Sequence, residues 1–341
     1  VVTRRTKQYH RALRKFRAIG RAIALVCLFG ASQAAAIELR FPVDCVVGTT
    51  CWLQNYMDHD SSDAARDYAC GAQTYDAHSG TDIRLPSMAQ QREGVSVLAA
   101  AGGRVAGVRD GMADVSVNDI DKGTIKGREC GNGVVVRHSD GFETQYCHMA
   151  SGSVEVKPGD EVKAGQALGK VGLSGNTEYA HLHFTVRQNG KNVDPFAFGA
   201  ADGACNGGTS LWEPALRASL KYRHGAILNK GFASRPIKMD DIESGEAERL
   251  APAADSPVLI AFVRAIGLQK GDVQRMLIEG PDGARVVDST MEALDRPKAQ
   301  YMMFAGRKRP PDGWKPGTYR ATYSINRGGS VVLEERFDMT L

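Results

Sequence analysis

The 341-residue sequence contains no His-Glu-x-x-His run and no Cys-x-x-Cys pair. The first absence removes the helical zinc site in which a glutamate serves as base. The second speaks against a thiolate metal site or a thioredoxin-like redox site. Histidine is absent after His224, so imidazole chemistry belongs to the first two thirds of the chain. No apolar run approaches the roughly 20 residues that span a bilayer; the best, residues 22–30, is too short. A basic excess is also missing once its location is considered. Residues 1–21 hold eight Lys or Arg and no acid, leaving 35 basic residues against 39 acidic ones in the remainder. That balance gives no electrostatic case for nucleic acid, where a clustered basic face is expected.

What is present at the start is a basic stretch, a short apolar run and the small-residue ending "ASQAAA". This order predicts a secretory signal over residues 1–36, cleaved before Ile37, and hence a periplasmic or extracellular protein without stable membrane insertion. Loss of Cys27 with that signal leaves six cysteines, an even set that predicts three disulfides in an oxidising compartment. Six cysteines allow 15 pairings. Spacing hints at Cys45 with Cys51 around a small loop, and at Cys130 with Cys147 across a hairpin turning at Asp140-Gly141. Cys70 and Cys205 remain.

About 305 mature residues predict two domains. Residues 37–224, with a core at about 75–198, show short apolar runs cut by glycine, the texture of a β-rich domain. Polar stretches at 58–67 and 109–129 read as loops over that core. Residues 225–341 offer candidate strands "SPVLIAFVRAI", "DVQRMLIEGPDGARVV", "AQYMMFAGRK", "GTYRATYSI" and "SVVLEERFDMTL". Their number and turn spacing predict an immunoglobulin-like β-sandwich that binds or positions. Polar stretches at 239–254 and 292–299 read equally as loops or short helices.

Three elements carry chemistry. "HSGTD" sets His78 and Asp82 four apart around a Gly-Thr that permits a tight bend. "HLHF" places His181 and His183 two apart among strand formers, so both imidazoles share a face while Leu182 packs behind. "YCHM" ends a strand on His148. A catalytic zinc site takes three protein ligands from such residues and keeps a position for water. Other candidates read blandly: His138 as a turn residue, His59 in "MDHDSSD" as part of a solvated loop whose spacing fits no calcium site, and Asp194 as the cap of a turn.

These elements, in this order and together with "GNGVVVRHSDGFETQYCHM" and "VKPGDEVKAGQALGKVGLSGN", resemble the lysostaphin-type, or LytM-type, zinc endopeptidases over about residues 75–198. The resemblance implies a small antiparallel β-sheet with an open groove, one Zn²⁺ held by His78, Asp82 and His183, and catalytic roles for His148 and His181. It implies peptidoglycan peptides as substrate, with cleavage of cross-links. We assign His181 to orient or deprotonate water, and His148 to stabilise the oxyanion or protonate the leaving amine. Two alternatives accompany this reading: a catalytically silent wall-binding or activator protein of the same fold, and a zinc D-alanyl carboxypeptidase. The sequence places Glu178 and Tyr179 where the family commonly has a short glycine-containing turn.

Overall fold

The computed structural model describes residues 37–201 and 203–341. The expected signal, with Cys27, lies outside the described residues. Among the described residues no helix is long and apolar enough to cross a membrane.

The first part builds ten strands: β1 (Trp52–Asn55), β2 (Thr81–Arg84), β3 (Ser96–Leu98), β4 (Gly103–Arg109), β5 (Asn132–Arg137), β6 (Phe142–Met149), β7 (Glu161–Val162), β8 (Ala167–Lys170), β9 (His181–Gln188) and β10 (Lys191–Val193). The helix α1 (Met88–Glu93) interrupts them. The main sheet runs β1-β2-β9-β6-β5-β4-β7, with β10 added to β9. Every pairing is antiparallel. β3 pairs with β8 in a small second sheet.

Alternation decides which face of this sheet is core. Along β9, Leu182, Phe184 and Val186 are almost completely buried in one cluster with Ile83, Val134, Val136 and Tyr146. Burying each large side chain of that kind stabilises by about 1.5–3 kcal/mol, so a one-residue slip would be heavily penalised. The register that places the intervening histidines is therefore fixed by their apolar neighbours. The β5–β6 connection turns at Asp140 (φ 55°) and Gly141 (φ 73°), the left-handed pair that this dipeptide favours.

All three hinted disulfides form: Cys45–Cys51, Cys70–Cys205 and Cys130–Cys147. The last ties the end of the 109–129 loop to β6. That loop is irregular except for two 3₁₀ turns at Val117–Asp119 and Lys122–Ile125.

The second part comprises β11 (Ala226–Ala233), the helix α2 (Met239–Ser244), β12 (Val258–Leu268), β13 (Val273–Glu279), β14 (Arg285–Thr290), β15 (Lys298–Lys308), β16 (Thr318–Arg327) and β17 (Ser330–Thr340). Sheets β11-β12-β15 and β14-β13-β16-β17 enclose a separate core that includes Val263, Met276, Ile278, Met303 and Tyr323. This is the expected β-sandwich. Two details differ from the sequence reading. The run "DVQRMLIEGPDGARVV" is a hairpin, β13 and β14, broken at Pro281-Asp282-Gly283. β11 falls outside the candidate strands, because "AILNKGFA" alternates poorly; it is a strand through its ladder with β12. Trp52 of β1, Leu228 of β11 and Ile266 of β12 share a small apolar cluster.

Removing the Cys130–Cys147 bridge frees a loop of 17-residue separation, for which chain entropy gives about 3 kcal/mol. The double variant Cys130→Ser/Cys147→Ser should lose about 2–4 kcal/mol in denaturant unfolding; a midpoint equal to that of the parent would contradict this.

Candidate active site

Strands β2, β9 and β6 lie side by side, and their register assembles the site. Asp82 stands opposite His183 and Arg84 opposite His181; on the other side His183 stands opposite Cys147. Because opposite residues of antiparallel strands project to one face, His181, His183, Thr185 and Arg187 follow one another along the groove side of β9. His148 joins them by a different device. It adopts φ 62°, in the left-handed region that a non-glycine residue visits at a cost and that recurs at functional sites. The twist is held by His148 N–H donating to the Cys130 carbonyl at 2.8 Å and by Gly172 N–H donating to the His148 carbonyl at 2.9 Å.

His78 precedes β2 on a loop shaped by Ala77 at φ 59°, whose N–H donates to Asp58 Oδ2 at 3.0 Å. The glycine of "HSGTD" lies at the expected bend just before β2, and it has a second reason. Gly80 is not among the residues at positive φ. A Cβ there would sit 2.8 Å from His183 Nε2 and 2.5 Å from the Phe184 carbonyl oxygen, so its lack of a side chain makes room for the imidazole.

The structure brings His78, Asp82 and His183 together, with one potential ligand atom from each lying within 4.8 Å of the others. His78 Nε2 is 3.2 Å from Asp82 Oδ1 and 3.2 Å from His183 Nδ1, and His183 Nδ1 is 2.9 Å from Asp82 Oδ1. His181 Nε2 lies 3.4 Å from the same Asp82 oxygen. The His148 ring centre is 4.7 Å from that of His181 and 6.0 Å from that of His183.

The far nitrogens of these rings are tied outward. His78 Nδ1–H donates to the Tyr56 carbonyl at 2.6 Å, and His148 Nδ1–H to the Ser174 carbonyl at 2.8 Å. His181 Nδ1–H donates to the Tyr179 carbonyl at 3.0 Å, with Thr177 Oγ1 equally close. His183 Nε2 meets the Thr185 hydroxyl at 3.1 Å. Carbonyl oxygens only accept, so three of the four neutral rings must present an unprotonated nitrogen inward. Asp82 is braced likewise: its Oδ2 accepts from Asn55 Nδ2 at 2.8 Å.

Electrostatics follow from this crowding. Burial would raise the Asp82 carboxyl, but the charges of His78 and His181 and the hydrogen bonds of His181 and His183 hold it well below the usual carboxylate range. Burial pushes the His148 imidazole well below its ordinary value, assisted by His181 and His183, so it is neutral at neutral pH. Burial also lowers His183. In His78 burial is outweighed by Asp82, and the imidazole is raised.

The groove beside these residues has a volume of about 230 Å³ and is lined by Tyr75, Ser79, Glu129, Gln145, His148 and Arg187, among others. His138 stays outside it, bridging the Gly102 carbonyl and Thr144 Oγ1. Tyr179 braces the site from the β1–β2 side, its hydroxyl accepting from Gln54 Nε2 at 2.8 Å. Asn55 and the backbone acceptors carry no motif and were not legible in sequence. Arg84 had a signal: in "TDIRL" it alternates with Asp82, which puts a second charge on the site face.

His59 and Asp194, read separately as loop and cap, pair at 2.8 Å. Asp194 also caps its turn, Oδ1 accepting from Phe196 N–H at 2.7 Å. The hydrogen bond to Asp194 raises His59 against the opposing effect of burial. A raised histidine stabilises fully below its unfolded value of about pH 6.5, and that contribution disappears as pH climbs through the folded value. The stability difference between parent and His59→Asn should therefore be largest near about pH 6 and shrink toward about pH 9 in urea titrations; a gap that widens with pH would refute the pairing.

Residues 76–195 match Peptidase family M23. The cell division protein DipM of Caulobacter vibrioides is 33% identical over 112 residues, covering 31% of this chain and 17% of that protein. The DD-carboxypeptidase/endopeptidase Mpg of Neisseria meningitidis is 32% identical over 124 residues, covering 36% and 23%. The murein hydrolase activator NlpD of Salmonella dublin is 28% identical over 106 residues, covering 31% and 26%. The alignments thus span about a quarter or less of these relatives' lengths. The resemblance read from the motifs is borne out over the segment that carries all five candidate side chains, residues 76–195, which is similar to Peptidase family M23.

Proposed function

We propose that this protein is an exported, zinc-dependent peptidoglycan endopeptidase that hydrolyses amide bonds in cell-wall peptide cross-links. The observation that carries the proposal is the facing of two imidazole nitrogens and a carboxylate oxygen at 2.9–3.2 Å. Electron-pair donors so close repel unless a cation or proton lies among them. The separations approach the roughly 3.3 Å edge of a tetrahedron whose metal bonds are about 2.0–2.1 Å. The donor set therefore fits Zn²⁺, held by His78 Nε2, Asp82 Oδ1 and His183 Nδ1. The last requires the His183 Nε2–H to donate to Thr185.

Bound there, the metal would lower the pKa of water to about 7 and polarise a carbonyl oxygen. His181, anchored through Nδ1–H on Tyr179, offers Nε2 as the acceptor for the proton of attacking water. His148 in its present tautomer offers an acceptor too. It cannot steady an oxyanion until it has gained a proton, so its role narrows to taking on the proton that the adjacent His181 has received, their ring centres being 4.7 Å apart, and delivering it to the leaving amine. Gly80 preserves the space that His183 occupies.

The relatives' names divide between an enzyme and an activator. The complete set of three ligand-type residues and two further histidines supports the enzyme over the silent alternative. The domain division accompanying this proposal assigns hydrolysis to residues 37–224 and an accessory role to residues 225–341, on the separation of their apolar cores.

The purified protein should contain one zinc per chain and release separated peptide stems from cell wall, identified by mass. Free alanine without separated stems would instead identify a carboxypeptidase, and neither product with no zinc would support the silent reading. His183→Ala should lose both zinc and activity. His181→Ala should keep its zinc while kcat falls by at least about 10²-fold; metal loss in that variant would overturn the division between ligand and base.

A further inference from the structure

The site described so far uses nothing beyond residue 195, yet two guanidiniums are wholly buried where β2 meets the C-terminal strands. Arg84 and Arg264 are both 0% exposed. A cation removed from water requires a counter-charge and hydrogen-bond acceptors. For both, the anion is the same: Glu243 on α2. Arg84 Nη2 donates to its Oε2 at 2.6 Å, and Arg264 Nη1 donates to the same oxygen. Among the described residues neither arginine pairs with any other carboxylate.

The arginines reach in opposite directions from that shared anion. Arg264, on β12, donates to the Pro86 carbonyl at 2.6 Å, just beyond the strand that bears Asp82. Arg84 turns toward the groove. Its guanidinium carbon lies 3.8 Å from the centre of the Tyr179 ring, a cation–π contact that strengthens on desolvation. Its Nη1 donates to Gln54 Oε1 at 2.7 Å, and Gln54 in turn donates to the Tyr179 hydroxyl. Tyr179 is thus gripped at ring and hydroxyl by one unit. The tyrosine ring centre is 4.9 Å from that of His181, and its carbonyl fixes the His181 tautomer.

We infer that Glu243 is a positioning residue for the hydrolytic site: the C-terminal part of the chain supplies the anion that holds Arg84, and through Arg84 holds Tyr179 and His181. This inference rests on the proposed hydrolytic function of the same site. A purely structural Glu243 would affect stability alone. A positioning Glu243 affects the histidine and turnover in a protein that still binds zinc.

The test uses the full chain with Glu243→Gln, the conservative Glu243→Asp, and Glu335→Gln as a control in the exposed Lys230 pair of the same sandwich. Two quantities are read: kcat and KM on cell-wall peptide, and the downfield NMR resonance of the His181 Nδ1–H. Glu243→Gln should retain zinc and a KM within about twofold, while kcat falls roughly 10- to 100-fold, as misplacement of a reacting group implies, and the resonance broadens. Glu243→Asp should recover part of both, and Glu335→Gln should change neither. A folded Glu243→Gln protein with parental kcat and resonance overturns the inference, even if it unfolds more readily. Should that variant fail to fold, Arg84→Met/Glu243→Met/Arg264→Met removes all three charges in a form that buried sites tolerate; parental turnover and resonance there overturn it equally. If the parent hydrolyses no substrate, the functional proposal fails, and the resonance still decides the positioning.

Discussion

The constraint on which the site in the first part of this molecule depends is that three electron-pair donors are held against one another. His78, Asp82 and His183 would separate if their side chains were free, because nothing in the polypeptide between them donates a proton to all three. The restraint comes from outside the triad. Leu182 and Phe184 lock the register of β9 from the core side, and the carbonyls of Tyr56, Tyr179 and Ser174 hold the far edges of three rings. Apolar burial fixes where the strand lies, and hydrogen bonds fix which nitrogen looks inward. The chemistry of the groove is the product of those two independent constraints.

The C-terminal strands belong to this scheme more closely than a flexibly attached module would. Glu243, Asn229 and Arg264 contact Arg84 and Pro86 at the end of β2, while Trp52 shares an apolar cluster with Leu228 and Ile266. A charge shared by two buried cations tolerates little displacement. The sandwich therefore braces the far end of the strand whose near end bears Asp82.

The sequence conveyed the groove side of this arrangement well and the bracing side poorly. Alternation in "HLHF" determined that two histidines share a face, and the family resemblance carried by the three motifs joined His78, Asp82 and His148 to them. Two disulfide pairings were legible because short separations and a turn dipeptide leave few geometries, whereas Cys70–Cys205, 135 residues apart, was reached only as the remaining pair. What could not be read was whatever depends on partners distant in sequence: Asn55 behind Asp82, Glu243 behind Arg84, and the strand character of β11, which exists only through β12. Gly80 serves the bend and also leaves the room that His183 needs, a requirement set by a strand a hundred residues away. Backbone acceptors such as Ser174 leave no trace in side-chain identity, although they decide the tautomer and so narrow the role of His148.

The left-handed twist at His148 has a further implication. The carbonyl that secures it belongs to Cys130, and Cys130 is bonded to Cys147, the residue just before the twist. The covalent bridge and the contorted peptide thus form one small closed ring. Reduction would open that ring without touching any residue of the triad, and the contorted peptide at His148 would then be held by its hydrogen bonds to Cys130, Gly172 and Ser174 alone.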